Sequence, residues 1–334
     1  MEAKKWIGVD IHKKQLTVHI ISEDGTEFKK QYSRTSEGIE EFLKMVDKDT
    51  VIGVESTTWT RDFAKRAREV AKDVVIFNTV DLKQMMDRLK KNDANDAERL
   101  ALIVRRFEKK ELSTCIIKDD KSAMVKGLLN IREHWVKRQT EAKNEIISLL
   151  DFWGVEIPEK LFSKKTRDLE WLKEKEIFPD LRESIESLFR LIEECESEIE
   201  KLDEKIQDNL KGHKGYNAIR TIKGIGKTTA AYIVTKVEDI KRFDDAKKLV
   251  KYFGLAPRLN ASDDKVYMGR ITKRTDGAIL RVLIQAAWAS VRFNNDMACF
   301  YHALRIRKGK QKAIVAVARK LVVFSYYVWS KIEA

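Results

Sequence analysis

Cysteine is almost missing from this chain of 334 residues: there are three, at positions 115, 195 and 299. An odd number so widely spaced builds neither a disulfide framework nor a tetrahedral zinc site, so reduced thiols in a cytoplasmic setting are expected. Proline is as scarce, with three residues, and Pro158 and Pro179 fall between helical patterns, where helices break. No run is both long enough and free enough of charge to cross a bilayer. The best, 313–329, is interrupted by Arg319 and Lys320, so no membrane partner is expected. Nothing at the start reads as a signal peptide, since Met1-Glu2-Ala3-Lys4-Lys5 leads straight into an apolar strand. Hydrophobic residues make up 43%, too many for a disordered chain, and the length suffices for two or three domains.

Positive charge is plentiful and unevenly placed. The net charge is +13. Residues 213–334 hold 25 Lys+Arg against 9 Asp+Glu, a net of +16, whereas residues 1–212 hold 41 against 44, a net of −3. The whole excess therefore sits in the last third. An even spread would serve solubility; concentration in one region is the footprint of a phosphate-binding surface.

Three regions follow from pattern. Residues 1–115 read as α/β. Strands at 6–10 and 16–21, a hairpin turn at 22–26 and a returning strand at 27–32 form a meander. A helix from Ser36, a strand 51–55, a helix near 60–71 and a strand 74–77 follow. That order is the one expected of a ribonuclease-H-like (RuvC-like) mixed sheet with helices. Residues 116–212 are helical and highly charged. Leu181, Ile185, Leu188, Ile192, Cys195, Ile199, Leu202 and Ile206 alternate steps of four and three, a coiled-coil seam. An earlier helix near 121–152 could cover that seam within the chain, or a second chain could, giving a dimer or tetramer; the heptad does not choose. Residues 213–334 are expected to be a basic, mostly helical domain.

Four acids in the first region suit one chemistry. Asp10 ends Trp6-Ile7-Gly8-Val9-Asp10, and Glu55 ends the similar Val51-Ile52-Gly53-Val54-Glu55. Asp93 and Asp96 stand at the entry of a helix, three apart and so on one face. Carboxylates at neighbouring strand ends, facing a helix with two more, make an all-oxygen site for Mg²⁺ or Mn²⁺, with room for two ions roughly 3.5–4 Å apart.

In the basic region, Thr221-Ile222-Lys223-Gly224-Ile225-Gly226-Lys227 fails the Walker A pattern, because Thr221 stands where glycine is required. What remains is a Gly-x-Gly turn feeding a helix, like a helix-hairpin-helix. The amides near Gly224 and Gly226, with Lys223 and Lys227, suit a phosphate. A polar loop is expected at 254–265. Ser262 by itself reads as a turn former, yet it lies among Arg258, Arg270, Lys273 and Arg274, cations that could hold a phosphate while a hydroxyl attacks. Arg281, Lys310, Arg319 and Lys320 extend the basic stripe.

These segments, taken with Lys13-Lys14-Gln15-Leu16, Val54-Glu55-Ser56-Thr57, Asp93-Ala94-Asn95-Asp96-Ala97, Tyr252-Phe253-Gly254-Leu255-Ala256-Pro257-Arg258, Gly269-Arg270-Ile271 and Ala318-Arg319-Lys320-Leu321, resemble the DEDD transposases of the insertion-sequence 110 family, relatives of the pilin-gene invertase. The resemblance covers both ends of the chain. It implies a prokaryotic, nucleoid-associated enzyme that cleaves and transfers DNA strands. In it Asp10, Glu55, Asp93 and Asp96 would bind Mg²⁺ and Ser262 would attack the phosphodiester, with donor and target DNA chosen by a structured guide RNA. A RuvC-like nuclease of branched DNA that uses water, and a catalytically dead nucleic-acid-binding protein, are the alternatives.

Overall fold

The computed structural model describes residues 4–78, 82, 96–107, 112, 114–115, 119–163, 169–173, 175, 177–262, 265–271 and 277–334. They fall into two compact units, 1–119 and 120–334.

The first unit is a mixed six-stranded sheet in the order β3-β2-β1-β4-β5-β6. Its strands are β1 (Lys5–Ile11), β2 (Gln15–Ser22), β3 (Glu27–Ser33), β4 (Thr50–Glu55), β5 (Asp73–Phe77) and β6 (Thr114–Cys115). β1, β2 and β3 pair antiparallel, β4 and β5 run parallel to β1, and β6 closes one edge antiparallel. Helices α1 (Ser36–Leu43), α2 (Thr60–Val70) and α3 (Asp96–Arg106) cover the sheet. Thr35 opens α1 by accepting the Gly38 amide at 3.2 Å, the usual N-cap bond.

Strand alternation sorts β1 and β4 between two cores. Ile7, Val9, Ile11, Ile52 and Val54 are buried in a cluster with Ile39 and Phe42 of α1 and Phe63, Ala64 and Ala67 of α2. The opposite face carries Trp6, Gly8, Asp10, Val51, Gly53 and Glu55. There Trp6 and Val51 pack on a second cluster with Phe77 and with Leu100, Ile103 and Val104 of α3. The two acids therefore belong to the face that α3 covers.

Among the described residues the second unit is helical apart from one β-hairpin. Helices α4 (Asp120–Phe152) and α6 (Pro179–Leu210), separated by the short α5 (Glu170–Lys173), pack antiparallel. Arg132 Nε and Nη2 donate to Asp203 at 2.7 and 2.9 Å, Gln139 donates to Glu196 at 2.9 Å, and Ala142, Ile146 and Leu150 pack on Ile185, Phe189 and Ile192. The apolar seam of α6 is thus covered by α4 of the same chain. Helices α7 (Lys214–Ile219), α8 (Lys227–Val237), α9 (Ala246–Tyr252), α10 (Gly277–Phe293), α11 (Asn295–Lys308) and α12 (Lys310–Glu333) enclose a core into which Val125, Leu129, Ile206 and Leu210 of the hairpin also pack. By length and composition α12 could span a bilayer. Here, though, Ala313, Val317, Ala318, Leu321, Val322 and Trp329 lie inside the core, so its hydropathy is spent on packing.

One sequence expectation changes. The segment read as a polar loop at 254–265 contributes a strand, β7 (Pro257–Ser262), paired antiparallel with β8 (Lys265–Ile271). Apolar alternation is sparse there, and the pairing is carried by backbone hydrogen bonds, which side-chain periodicity does not report.

Candidate functional site

Glycine positions the acidic site. In the parallel register Gly8 pairs with Gly53 and Val9 with Val54, which puts Asp10 and Glu55 at the next step, at the C-terminal edge of the sheet. The two glycines leave a smooth floor on the α3 face. A Cβ built on Gly8 would lie 1.8 Å from the Ala97 carbonyl oxygen and 2.5 Å from the Ala101 nitrogen. One on Gly53 would lie 2.8 Å from Val104 Cγ1 and 3.1 Å from the Leu100 oxygen. No side chain larger than hydrogen lets the helix backbone come so close. The helix also has a direction: Ala97 sits over Gly8, while the Arg105 guanidinium lies 5.3 Å from the Trp6 ring. So α3 runs antiparallel to β1, and its first residue, Asp96, reaches the end that carries Asp10.

The electrostatics follow from that approach. Burial pushes the Asp10 carboxyl above its ordinary value; the neighbouring His12 opposes this and the like charge of Asp96 adds to it. His12 Nε2 stands 2.9 Å from Asp10 Oδ2. Asp96 is more open and has Arg99 Nη1 at 3.7 Å, and its position in the first turn suits the helix dipole. Beyond Glu55 the chain is turned by threonines. Thr60 Oγ1 donates to the Glu55 carbonyl at 2.5 Å and accepts the Thr57 amide at 2.9 Å, which fixes the strand end.

The structure therefore brings Asp10 and Asp96 together and sets Glu55 on the adjoining strand, while Asp93 lies outside the described residues. Among the described residues no three His, Cys, Asp or Glu side chains are gathered closely enough to hold a metal ion. A half-buried carboxylate with a second, more open one beside it is nevertheless the donor type a hard divalent cation prefers. Sequence reading passed over Gly8, Gly53, His12 and Arg99. The signal for the glycines was present: each stands two residues before its acid.

The predicted basic residues have varied surroundings. Between α7 and α8, Gly224 has φ +99°, and a Cβ there would lie 2.5 Å from Ser290 Cβ. Lys223, Gly226 and Lys227 are exposed around this turn. Arg281 Nη2 is 2.6 Å from Glu133 of α4. Lys320 Nζ lies 4.4 Å from the Phe300 ring centroid and Lys310 Nζ 5.5 Å from that of Trp288, while Arg319 is exposed. Arg258 and Ser262 lie on β7, where Ser262 ends the strand opposite Lys265, and Arg270 lies on β8. Lys273 and Arg274 fall outside the described residues.

Comparison with known proteins agrees with both units. Residues 7–154 match a transposase family of the DEDD, IS110 type, and residues 216–302 match the family described as Transposase IS116/IS110/IS902. Among curated relatives, the transposase for insertion sequence element IS1111A of Coxiella burnetii is 26% identical over 69% of this chain and 64% of its own length. The transposase for IS1328 of Yersinia enterocolitica is 24% identical over 84% of this chain and 82% of its own. The pilin gene-inverting protein of Moraxella bovis is 33% identical over 33% of this chain and 35% of its own. These are enzymes of DNA rearrangement by their names. The two matches lie toward opposite ends of the chain, and both are with transposases of the IS110 type.

Proposed function

We propose that this protein is the transposase of an insertion element, cutting and transferring DNA strands with Ser262 as nucleophile and a divalent cation held by Asp10, Glu55, Asp93 and Asp96. The observation that carries the reading is the glycine-floored approach of α3 to β1, which forces Asp96 toward a half-buried Asp10. Burial disfavours the Asp10 carboxylate first, and the like charge of Asp96 adds to this while His12 opposes it, so a proton or a cation at this edge is favoured. The sheet order β3-β2-β1-β4-β5, with acids at the edge of β1 and β4, supports a RuvC-like relationship. A cation such as Mg²⁺ or Mn²⁺ at this site would supply charge stabilisation to a phosphodiester and its leaving oxygen.

Ser262 would lose its hydroxyl proton and add Oγ to the scissile phosphorus as the DNA 3′ or 5′ oxygen leaves and takes up a proton, giving a serine–DNA phosphodiester that keeps the bond energy for rejoining. The cations Arg258 and Arg270, on the same hairpin, would hold phosphate oxygens. Exposed Lys223 and Lys227 at the Gly224–Gly226 turn, with Arg319, would grip donor and target DNA without reading sequence. The family resemblance also supports a structured guide RNA as partner. A dimer or tetramer would have to use a face other than the α6 seam, which the chain covers itself.

The test is denaturing electrophoresis of DNA carrying the element's ends, incubated with the protein and Mg²⁺. A protein–DNA adduct that forms with the wild type and vanishes in Ser262→Ala and Asp10→Asn is the expected result. Cutting that survives Ser262→Ala but not Asp10→Asn would make the enzyme a water-using nuclease. Binding indifferent to Mg²⁺ and to both substitutions would leave only a nucleic-acid-binding protein.

A further inference from the structure

The sheet edge that presents Asp10 and Glu55 has a second feature on its other face. A cavity of about 340 Å³ opens between the β1–β2 turn, the β3–α1 junction and the loop after β4. Arg34, Ser36, Thr58 and Trp59 form its walls, and Ile11 and Phe63 belong to its floor. Its place is set by the chain: Ile11 follows Asp10 directly, and Thr58 comes three residues after Glu55.

Arg34 is the notable group. Its Nε donates to the Lys13 carbonyl at 2.7 Å, and its guanidinium carbon lies 4.9 Å from the Trp59 ring centroid. The side chain is half-buried. These contacts pin the guanidinium and leave both Nη atoms without a partner among the described residues. A pinned, stacked guanidinium with its donor pair unused is prepared for an anion with two acceptor oxygens, and little entropy remains to be lost on binding. Arg61 and Asp62 also line the cavity, and Asp62 has Arg66 Nη1 at 4.0 Å. The volume is near the low end for a small-ligand site, about 300–1,000 Å³. It admits one nucleotide and no duplex.

We propose that this cavity binds one unpaired nucleotide of the strand being cut, next to the phosphodiester presented to Asp10 and Glu55. Its phosphate sits on the Arg34 Nη pair and the Ser36 hydroxyl, and its base lies against Trp59, the half-buried aromatic of the wall. Holding a base out of its stack there would fix the register of the strand at the carboxylates. Flipped or single-stranded bases are commonly read by such aromatic and guanidinium surfaces. The proposal rests on the phosphoryl-transfer reading for its biological meaning, but binding itself needs no chemistry.

The experiment is photocrosslinking of the full chain, in EDTA, to a twelve-nucleotide single strand of 4-thiothymidine, with adducts mapped by mass spectrometry of tryptic peptides. The expected result is an adduct on the peptide carrying Trp59, reduced about tenfold in Arg34→Ala, as loss of a charge-assisted pair implies, and also reduced, though less, in Arg34→Lys, whose ammonium keeps the charge and lacks the paired Nη donors. Hydrogen exchange on peptides of β1 and β2 should be unchanged in Arg34→Ala, which excludes misfolding of the first unit as the cause, and adducts on peptides of 213–334 should also be unchanged. Adducts confined to 213–334, or a Trp59-peptide adduct that persists undiminished in Arg34→Ala, would overturn the proposal. Because EDTA prevents cutting, failure here is separate from failure of the serine–DNA adduct test.

Discussion

Replacing Gly8 with alanine tests the geometry on which the acidic site depends. The new Cβ would stand 1.8 Å from the Ala97 oxygen, where ordinary contact begins near 3.4 Å, a shortfall of about 1.6 Å. The obstructing atoms, the Ala97 oxygen and carbon and the Ala101 nitrogen, are all backbone, so no rotamer change relieves them. The helix must lift, and Leu100, Ile103 and Val104 would lose contact with Val75 and Phe77. Overpacking costs about 1–3 kcal/mol where side chains can yield; with backbone on both sides we expect the upper end, about 3 kcal/mol. For a unit of this size that is a fall of about 10 °C in Tm. The control is Gly127→Ala in α4, where a Cβ meets nothing within 4 Å and which should stabilise by about 0.5–1 kcal/mol. Urea denaturation gives the two signs, and hydrogen exchange on peptides of β1 and α3 locates the loss. A Gly8→Ala protein within about 0.5 kcal/mol of wild type, a deviation usual for innocuous changes, with α3 as protected as before, would refute the close-approach argument.

Three further outcomes are expected. Asp10→Asn should raise the stability of the metal-free protein at neutral pH. The folded-state pKa of Asp10 is raised, so its stabilising effect is complete below the unfolded pKa and is lost as pH rises through the folded value; the gap between the variant and wild type, measured in urea, should widen over that interval and then stay constant. Mn²⁺ should raise the melting temperature of the wild type and not that of Asp10→Asn in differential scanning fluorimetry; equal shifts would place the cation elsewhere. Asp203→Ala, which strands the half-buried Arg132, should cost about 1–3 kcal/mol, whereas Glu198→Ala, which removes an exposed i,i+3 pair with Lys201, should cost below about 0.5 kcal/mol; equal losses would mean the α4–α6 bridge contributes nothing special.

Local pattern was enough for much of the first unit. Period-two alternation in Ile7-Gly8-Val9-Asp10 and its near copy at 52–55 fixed which residues share a face, and the meander with its hairpin turn followed from turn chemistry. The split of charge between 1–212 and 213–334 was likewise open to counting; the four acids were candidates by pattern, and Ser262 only by the family resemblance. A four-three repeat marked the α6 seam without saying what covers it.

Tertiary structure decided what those patterns left undetermined. The α6 seam is closed by α4 of the same chain, because an antiparallel partner of matching length lies upstream and brings Arg132 to Asp203; a heptad specifies an apolar stripe and carries no address. Asp96 reaches Asp10 because two glycines in register let a helix backbone settle on the sheet, a contact between segments nearly ninety residues apart. Arg34 becomes a pinned, half-buried donor through the Lys13 carbonyl and the Trp59 ring, neither of which is its neighbour in sequence. Periodicity reports the face a residue occupies; the partner on that face is chosen by packing across the whole chain.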